Sequence, residues 1–380
     1  MTCDILHVLW SGEVGGTERH VAGLVLEGAR HSRFDQRACF LAGDGPIGDD
    51  LTARGLADRM QLRHGLDPRG LMRLARLARA LRPQVVHLHT RALAVRVVLL
   101  LAAPRASYVY TEHAPGAVAG ELRFVLFYRL FRRTLARFVA IAPAMARCMQ
   151  EHGVDPGRVV LIPHGVTITA APDGGKQGGD GTTIGTICRL ESPKRVDVFL
   201  DVIAELRRQE VKCSAIVVGD GSLRGALTKA ARDRALDEMV TFAGQQEDVS
   251  QWLDRFDVFL LTSEVETFGI AALEAMARGV PVVAMPSAGG LSSLAERGGV
   301  LLESRDVAEA ATAVVDLLAS AERRAQVRRR GASVAKEHRL EHTIAALDNM
   351  YGELVAPRRG GAGTAVSTGG SPASATDERA

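Results

Sequence analysis

At 380 residues, with 47% apolar and 24% charged side chains, the chain has the proportions of a soluble globular protein and the length for two packed domains. A net charge of +3 at pH 7 leaves too small a basic excess to imply a nucleic-acid partner. Five cysteines, Cys3, Cys39, Cys148, Cys188 and Cys213, show no metal-ligand spacing and fit a reducing cytoplasm better than a disulfide scaffold.

The start, Met-Thr-Cys-Asp-Ile-Leu-His-Val, lacks the basic opening and long apolar segment of a signal peptide, so no export is expected. It reads as a first strand, Ile5 to Leu9, running into Ser11-Gly-Glu-Val-Gly-Gly-Thr-Glu-Arg19 and an apolar helix. Paired glycines at a strand-to-helix turn let backbone approach a ligand, although a plain tight turn has the same signature. Further strands are expected at Gln84 to Leu88, Ser107 to Tyr110, Phe138 to Ile141 and Val159 to Ile162, with helical stretches such as Leu71 to Leu81 between them. His87 and His89 alternate in and just after the strand Gln84 to Leu88 and read as core or edge positions, not as a metal pair. No cluster of His, Cys or Asp at metal spacing stands out, so no metal ligand is assigned. The apolar window Ala92 to Pro104 is interrupted by Arg96 and is shorter than the ~20 residues that cross a bilayer. Thr111-Glu-His113 follows the third strand, where a histidine can meet a sugar hydroxyl or serve structure alone. Leu122 to Ala140 mixes Arg123, Arg129, Arg132, Arg133 and Arg137 with five Phe and Tyr side chains. Such a stretch suits either peripheral contact with an anionic membrane or a helix packing its aromatic face on the first domain.

A Gly/Asp-rich break, Ala171 to Gly181, then interrupts all periodicity. Strands resume at Thr183 to Ile187, Ala215 to Val218, Val240 to Phe242, Val258 to Leu261 and Pro281 to Ala284, each followed by a helix. The expected organisation is residues 1–168 as one doubly wound α/β domain, 169–181 as linker, 182–338 as a second, 339–356 as a closing helix and 357–380 as a disordered tail.

Three stretches of the second half carry chemistry. Arg189-Leu-Glu-Ser-Pro-Lys194 sets two cations across a strand-to-helix loop, suited to clamping a diphosphate or, alone, to a solvated charge pair. Val217-Val-Gly-Asp-Gly-Ser222 ends a strand in a glycine turn that brings backbone near a nucleotide, but it lacks the dinucleotide glycine spacing. Glu266-Thr-Phe-Gly-Ile-Ala-Ala-Leu-Glu274 places one acid on a strand-to-helix loop and a second inside the helix. Helical side chains lean toward the N-terminus, so both carboxylates converge on one crevice, beside the free N–H groups near Phe268 and Gly269. Taken alone, that pair also fits a surface helix acid and a dipole-favoured N-terminal acid.

Gly15-Gly16, Ile162-Pro-His-Gly-Val166, Arg189 with Lys194, Gly219-Asp-Gly221, Glu266 with Glu274 and Gly289-Gly290 occur in an order that resembles the family-4 retaining glycosyltransferases of the GT-B fold, over residues 1 to about 355. The resemblance implies two Rossmann-like domains facing a central cleft, a nucleotide-sugar donor on the second domain and a hydroxyl acceptor on the first. It also implies no bound metal or other cofactor. Donor contacts fall on Gly16, Arg189, Lys194, Gly219, Glu266, Phe268, Gly269 and Glu274, and acceptor contacts on Gly15, Glu18, Arg19 and His113. His113, Arg189, Lys194 and Glu266 are the expected catalytic set, acting by front-face displacement. The closing helix, His342 to Leu354, is expected to return to the first domain.

The chain departs from the family pattern at His164 in place of Asn, at Cys188 and Arg195 in place of Gly, and at Ser292-Ser293 in place of Pro-Glu. The acceptor class spans glycolipids, polysaccharide precursors and secondary metabolites, and the expected location is cytoplasmic, with peripheral contact at the inner membrane face. A noncatalytic nucleotide-sugar-binding protein, a GT-B sugar-nucleotide epimerase and a glycan phosphorylase share the architecture, while a dehydrogenase is disfavoured by the glycine spacing.

Overall fold

The computed structural model describes residues 3–13, 15–43, 45–113, 122–168 and 182–355. The expected linker 169–181 and tail 357–380 lie outside them. The first half runs β1 (Ile5–Leu9), α1 (Gly16–His31), β2 (Gln36–Phe40), α2 (Pro46–Ala53), β3 (Ala57–Arg59), α3 (Pro68–Leu81), β4 (Val85–Leu88), α4 (Leu93–Ala102), β5 (Ser107–Glu112), α5 (Leu122–Phe131), β6 (Arg137–Ala140), α6 (Pro143–Glu151) and β7 (Val159–Leu161). The second runs β8 (Thr182–Ile187), α7 (Val196–Arg208), β9 (Cys213–Val218), α8 (Arg224–Asp233), β10 (Val240–Gly244), α9 (Ser250–Leu253), β11 (Val258–Leu261), β12 (Val265–Glu266), α10 (Ile270–Ala277), β13 (Val282–Ala284), β14 (Ala288–Gly289), α11 (Leu291–Gly298) and β15 (Val300–Leu301). Three helices follow, α12 (Val307–Ala319), α13 (Ala321–Glu337) and α14 (Leu340–Val355).

Two all-parallel sheets result, ordered β3-β2-β1-β4-β5-β6-β7 and β10-β9-β8-β11-β13-β15. Their strands are apolar on both faces because helices cover both faces, as a parallel sheet requires. In the first sheet, Leu6, Val8, Val86 and Leu88 pack toward α3 and α4, while Ile5, Val85 and Val109 pack toward α1 and α14. Each sheet reverses its strand order once, between β1 and β4 and between β8 and β11, and such a reversal opens a crevice at the carboxyl ends of the strands.

Several elements differ from expectation. The strands β2, β3 and β15 were not read from the sequence. β3 is a three-residue edge strand carrying Asp58 and Arg59, and edges need little apolar content. Glu266 lies in the two-residue strand β12, hydrogen-bonded alongside β14, and not in an irregular loop. Leu122 to Ala140 is not one amphipathic helix: α5 ends at Phe131, and Arg137 and Phe138 belong to β6.

After α13 the chain crosses back to the first sheet. Val166 N–H donates to His338 O at 2.9 Å and Leu340 N–H to Val166 O at 3.0 Å, a bridge so close that a Cβ on Gly165 would lie 2.6 Å from Leu340 Cα. α14 then buries Leu340, Ile344, Leu347, Met350 and Tyr351 beside α1. Each such side chain is worth about 1.5–3 kcal/mol when fully buried. Asp348, 7% exposed, accepts from Ser32 Oγ at 2.7 Å and from Arg33 N–H at 2.9 Å. Arg137 pairs with the exposed Glu353 at 3.1 Å.

Burial separates the weight of these two carboxylates. Asp348→Ala should cost about 1 to 3 kcal/mol, because it removes a buried carboxylate that accepts from a part-buried hydroxyl and N–H, whereas Glu353→Ala should stay within about 1 kcal/mol. Urea denaturation of both variants checks the ranking; equal losses would show that α14 is held by packing alone.

Candidate active site

The loops at the carboxyl ends of β8, β9 and β11 are built by close backbone contact. Cys188 N–H donates to Val218 O at 3.0 Å and Leu190 N–H to Asp220 O at 2.9 Å. This draws the turn after β9 against the turn after β8, so that a Cβ on Gly219, at φ 132°, would lie 1.9 Å from Cys188 O. Only glycine fits there. Arg189 follows Cys188, and a single 3₁₀ turn, Ser192–Lys194, carries Lys194 toward β11. Arg195 ends that turn in the left-handed region at φ 48°, and Thr262 Oγ1 donates to its carbonyl at 2.8 Å.

From the β11 side, Glu266 meets Lys194 in a direct ion pair, both side chains being largely buried. Behind Glu266, Gly290 N–H donates to its carbonyl at 3.1 Å, and a Cβ on Gly289, at φ 116°, would lie 2.2 Å from that oxygen. Gly289-Gly290 therefore supports the backbone of Glu266. Gly269, at φ 95°, turns the chain into α10, whose first residues have no side-chain cap. Phe268 is buried, its ring 5.5 Å from that of His164 and 5.6 Å from that of His338, so it also wedges the domains together.

Two adjoining cavities open between the domains. One, of about 280 Å³, is bordered by Gly16, His113, Lys194, Glu266, Phe268 and Gly269. The other, of about 150 Å³, is bordered by Gly15, Arg19, Gly219, Gln246 and Glu274. Gly16, Cys188 and Arg189 border both and mark their junction. Burial raises the Glu274 carboxyl above its ordinary range, opposed by the charge of Arg19. Burial likewise raises Glu18, opposed by a hydrogen bond to its own N–H and by the charge of Arg189 across the cleft. It pushes the Cys188 thiol up to about 12 even beside Lys194, and His113 down to about 3, so both are uncharged at neutral pH.

The first domain contributes differently from expectation in two places. Arg19 was placed with the acceptor; its guanidinium instead donates to Gln246 O at 2.7 Å and Glu247 O at 2.8 Å, on the Glu274 side of the cleft. His87 and His89 were read as core or edge positions and not as a metal pair; with His7 they bring ligand-capable atoms within 4.8 Å of one another. Parity carried the signal, since His87, His89, Thr111 and His113 alternate along β4, β5 and their ends, and His7 is the register partner of His87. Thr267 Oγ1 also donates to His113 O at 3.1 Å across the cleft, a contact no local pattern announces.

Residues 14–169 match the family Glycosyltransferase Family 4 and residues 181–320 match Glycosyl transferases group 1. Among curated relatives, the chain is 30% identical over 224 residues to D-inositol 3-phosphate glycosyltransferase 2 of Catenulispora acidiphila, covering 54% of this chain and 52% of that one. It is 29% identical over 178 residues to N-acetyl-alpha-D-glucosaminyl L-malate synthase of Bacillus anthracis, covering 46% of each. The match thus spans about half the length of these relatives. The crystal structure of the Anabaena protein HepE in complex with UDP and glucose superposes with a TM-score of 0.77 at 21% identity, over 92% of this chain and 98% of that one, which establishes the GT-B fold.

The raised Glu274 carboxyl has a consequence for stability. The folded state holds its proton more tightly than the unfolded chain does, so stability is fully present at acidic pH and is lost as pH rises through the folded pKa. Glu274→Gln should therefore raise the denaturation midpoint at neutral pH, with the gain vanishing on acidification. An unchanged or lowered midpoint at neutral pH would show that the carboxylate is better solvated than its position implies.

Proposed function

We propose that this chain, which belongs to the family-4, group 1 glycosyltransferases, moves a hexose-type sugar from a nucleoside-diphosphate sugar to an acceptor hydroxyl, with retention at the anomeric carbon and without a metal on the diphosphate. The observation that carries this reading is the junction of the two cavities at Arg189. A nucleoside fits the Glu274 cavity, the sugar fits the cavity of His113 and Glu266, and the diphosphate between them meets Arg189, Lys194 and the uncapped start of α10. Among the described residues no cation is in ion-pair contact with Glu274, which leaves the carboxylate free to accept from both ribose hydroxyls. The UDP and glucose held by the Anabaena neighbour support the same class of ligand.

In this reaction the bond from the anomeric carbon to the diphosphate breaks while a bond to the acceptor oxygen forms on the same face, and the acceptor proton passes to the departing phosphate oxygen. Negative charge grows on the diphosphate as the bond breaks, and Arg189 and Lys194 stabilise it most in the transition state. Lys194 enters this role already aligned by Glu266. Two side-chain cations supply the neutralisation that a divalent ion gives in other transferases.

The acceptor in this reading is lipid-linked, and the chain meets it at a membrane surface. No helix among the described residues is long and apolar enough to cross a membrane. On α4, Leu93, Val97 and Leu101 form an exposed stripe, and the neighbouring α5 exposes Leu126 and Leu130 beside Arg129, Arg132 and Arg133. Arg96 joins the two helices, its guanidinium 3.9 Å from the Phe131 ring centroid. Apolar side chains ringed by arginine match an anionic bilayer.

Calorimetry with UDP-, GDP- and ADP-sugars in chelator tests the donor site. One base class should bind, and Glu274→Ala should weaken it about 10- to 100-fold, the worth of hydrogen bonds to a charged group. Arg189→Ala should lower kcat by about 100-fold or more. Binding that needs added divalent metal, or that ignores Glu274, would sink the assignment. For the membrane, Leu126→Ser with Leu130→Ser should abolish flotation with anionic vesicles; a wild-type chain that stays at the bottom of the gradient would remove the lipid-linked acceptor.

A further inference from the structure

Beneath the cleft, on the α1 and α14 side of the first sheet, His7, His20, His87, His89, His113 and His164 form one buried or half-buried layer. Ring centroids are 5.3 Å apart for His7 and His89, 5.2 Å for His89 and His113, 5.1 Å for His113 and His164, and 3.9 Å for His164 and His20. The close trio His7, His87 and His89 is not left open for a metal, because every one of its ring nitrogens has a hydrogen-bond partner. His87 is held between Tyr351 Oη and Thr111 Oγ1, each at 2.6 Å. His7 and His89 belong to a chain that ends at the cleft.

That chain has a direction. Burial keeps the layer uncharged, lowering His7 to about 4 and His20 and His113 to about 3, and a neutral imidazole carries one N–H and one lone pair. Gln36 Oε1 can only accept, so its 2.9 Å contact requires the hydrogen of His7 to sit on Nε2. His7 Nδ1 is then a lone pair and accepts from His89 Nε2 at 3.1 Å. His89 Nδ1 in turn accepts from His113 Nε2 at 2.9 Å. The remaining nitrogen of His113, Nδ1, is left as a bare lone pair. Among the described residues it is buried without a partner, on a ring that borders the cavity shared with Lys194 and Glu266.

We propose that Gln36, His7 and His89 are positioning residues that set the tautomer of His113, so that His113 presents the cleft with an acceptor and selects a ligand bringing a hydroxyl hydrogen to Nδ1. Naming that hydroxyl as one of a donor sugar rests on the transferase reading; the tautomer itself does not. A relay of this kind acts on orientation and hydrogen-bond polarity, and Gln36 touches no ligand. Its loss should therefore leave nucleotide affinity alone while lowering turnover.

Nitrogen-15 NMR of the full chain with labelled histidine tests the relay, with His113 assigned by the signals lost in His113→Gln. The expected spectrum has His113 protonated at Nε2 and bare at Nδ1. Gln36→Leu removes the terminal acceptor and should divide His113 between both tautomers, while Gln36→Glu keeps an acceptor and should restore one. In turnover, Gln36→Leu should lower kcat roughly 10- to 100-fold, as lost outer-shell partners do, with KM for the nucleotide sugar within about twofold. A proton on His113 Nδ1 in the wild type, or an unchanged tautomer in Gln36→Leu, would overturn the proposal. Should Gln36→Leu fail to fold, the wild-type spectrum decides alone. A bare Nδ1 in a chain that transfers sugar from no nucleoside-diphosphate donor would uphold the relay and remove the transferase reading instead.

Discussion

The contact between Lys194 and Glu266 is the constraint around which the second domain is arranged. It joins the loop after β8 to the segment after β11, across the point where the sheet reverses its strand order. A cation and an anion, largely buried there, hold each other, and neither stays in place unless its backbone does. Lys194 is fixed by the 3₁₀ turn and by Thr262 on the next carbonyl. Glu266 is fixed by the ladder to β14 and by the glycine pair behind it. The positive-φ glycines of this region are consequences of that packing. Gly219, Gly269 and Gly289 each stand where two loops approach too closely for a side chain or where the backbone must turn left-handed.

The first domain meets the cleft with uncharged groups. Its histidine layer places polar rings where a parallel sheet ordinarily carries Val and Ile, and each buried nitrogen must find a partner or remain a cost. His7, His87 and His89 satisfy theirs from Gln36, Tyr351, Thr111 and His113 and from the His7–His89 contact, while His164 leaves both nitrogens without a partner among the described residues. Tyr351 belongs to α14, so the same helix that fastens the two domains also completes the polar layer under the cleft. Domain association and site polarity are thus coupled through one side chain.

Local pattern made much of this legible. The apolar runs Ile5 to Leu9 and Val258 to Leu261 have the short apolar form of buried parallel strands, and the eight-residue spacing of Glu266 and Glu274 brings both to the cleft once a helix starts between them. What escaped was set by distant partners. β2 opens with Gln36 and Arg37, which obscure an apolar run, yet Gln36 is buried with its Oε1 accepting from His7 Nε2. Arg19 was assigned to the acceptor by resemblance, and its hydrogen-bond partners, 227 and 228 positions away, lie beyond any local pattern. The histidine layer needs the register of β1 against β4 and of β4 against β5, which no single-strand pattern contains.

The departures from the family pattern follow the same logic of backbone support. Arg195 occupies a left-handed position that costs an L-residue about 1–2 kcal/mol. Its guanidinium donates to Asp197 at 2.9 Å and also pairs with Glu264, whose N–H donates to Pro193 O at 2.9 Å. The arginine therefore fastens the Lys194 turn to the segment leading into Glu266, a function glycine would not perform. Ser292 Oγ donates to Ser287 O and accepts from Ser287 N–H, both at 3.0 Å, which closes the turn carrying Gly289-Gly290. Ser293, in place of the family glutamate, is exposed. At Arg195 and Ser292 the replacement side chain is spent on holding a loop, behind a cleft that Arg189, Lys194, Glu266 and Glu274 border from the second domain.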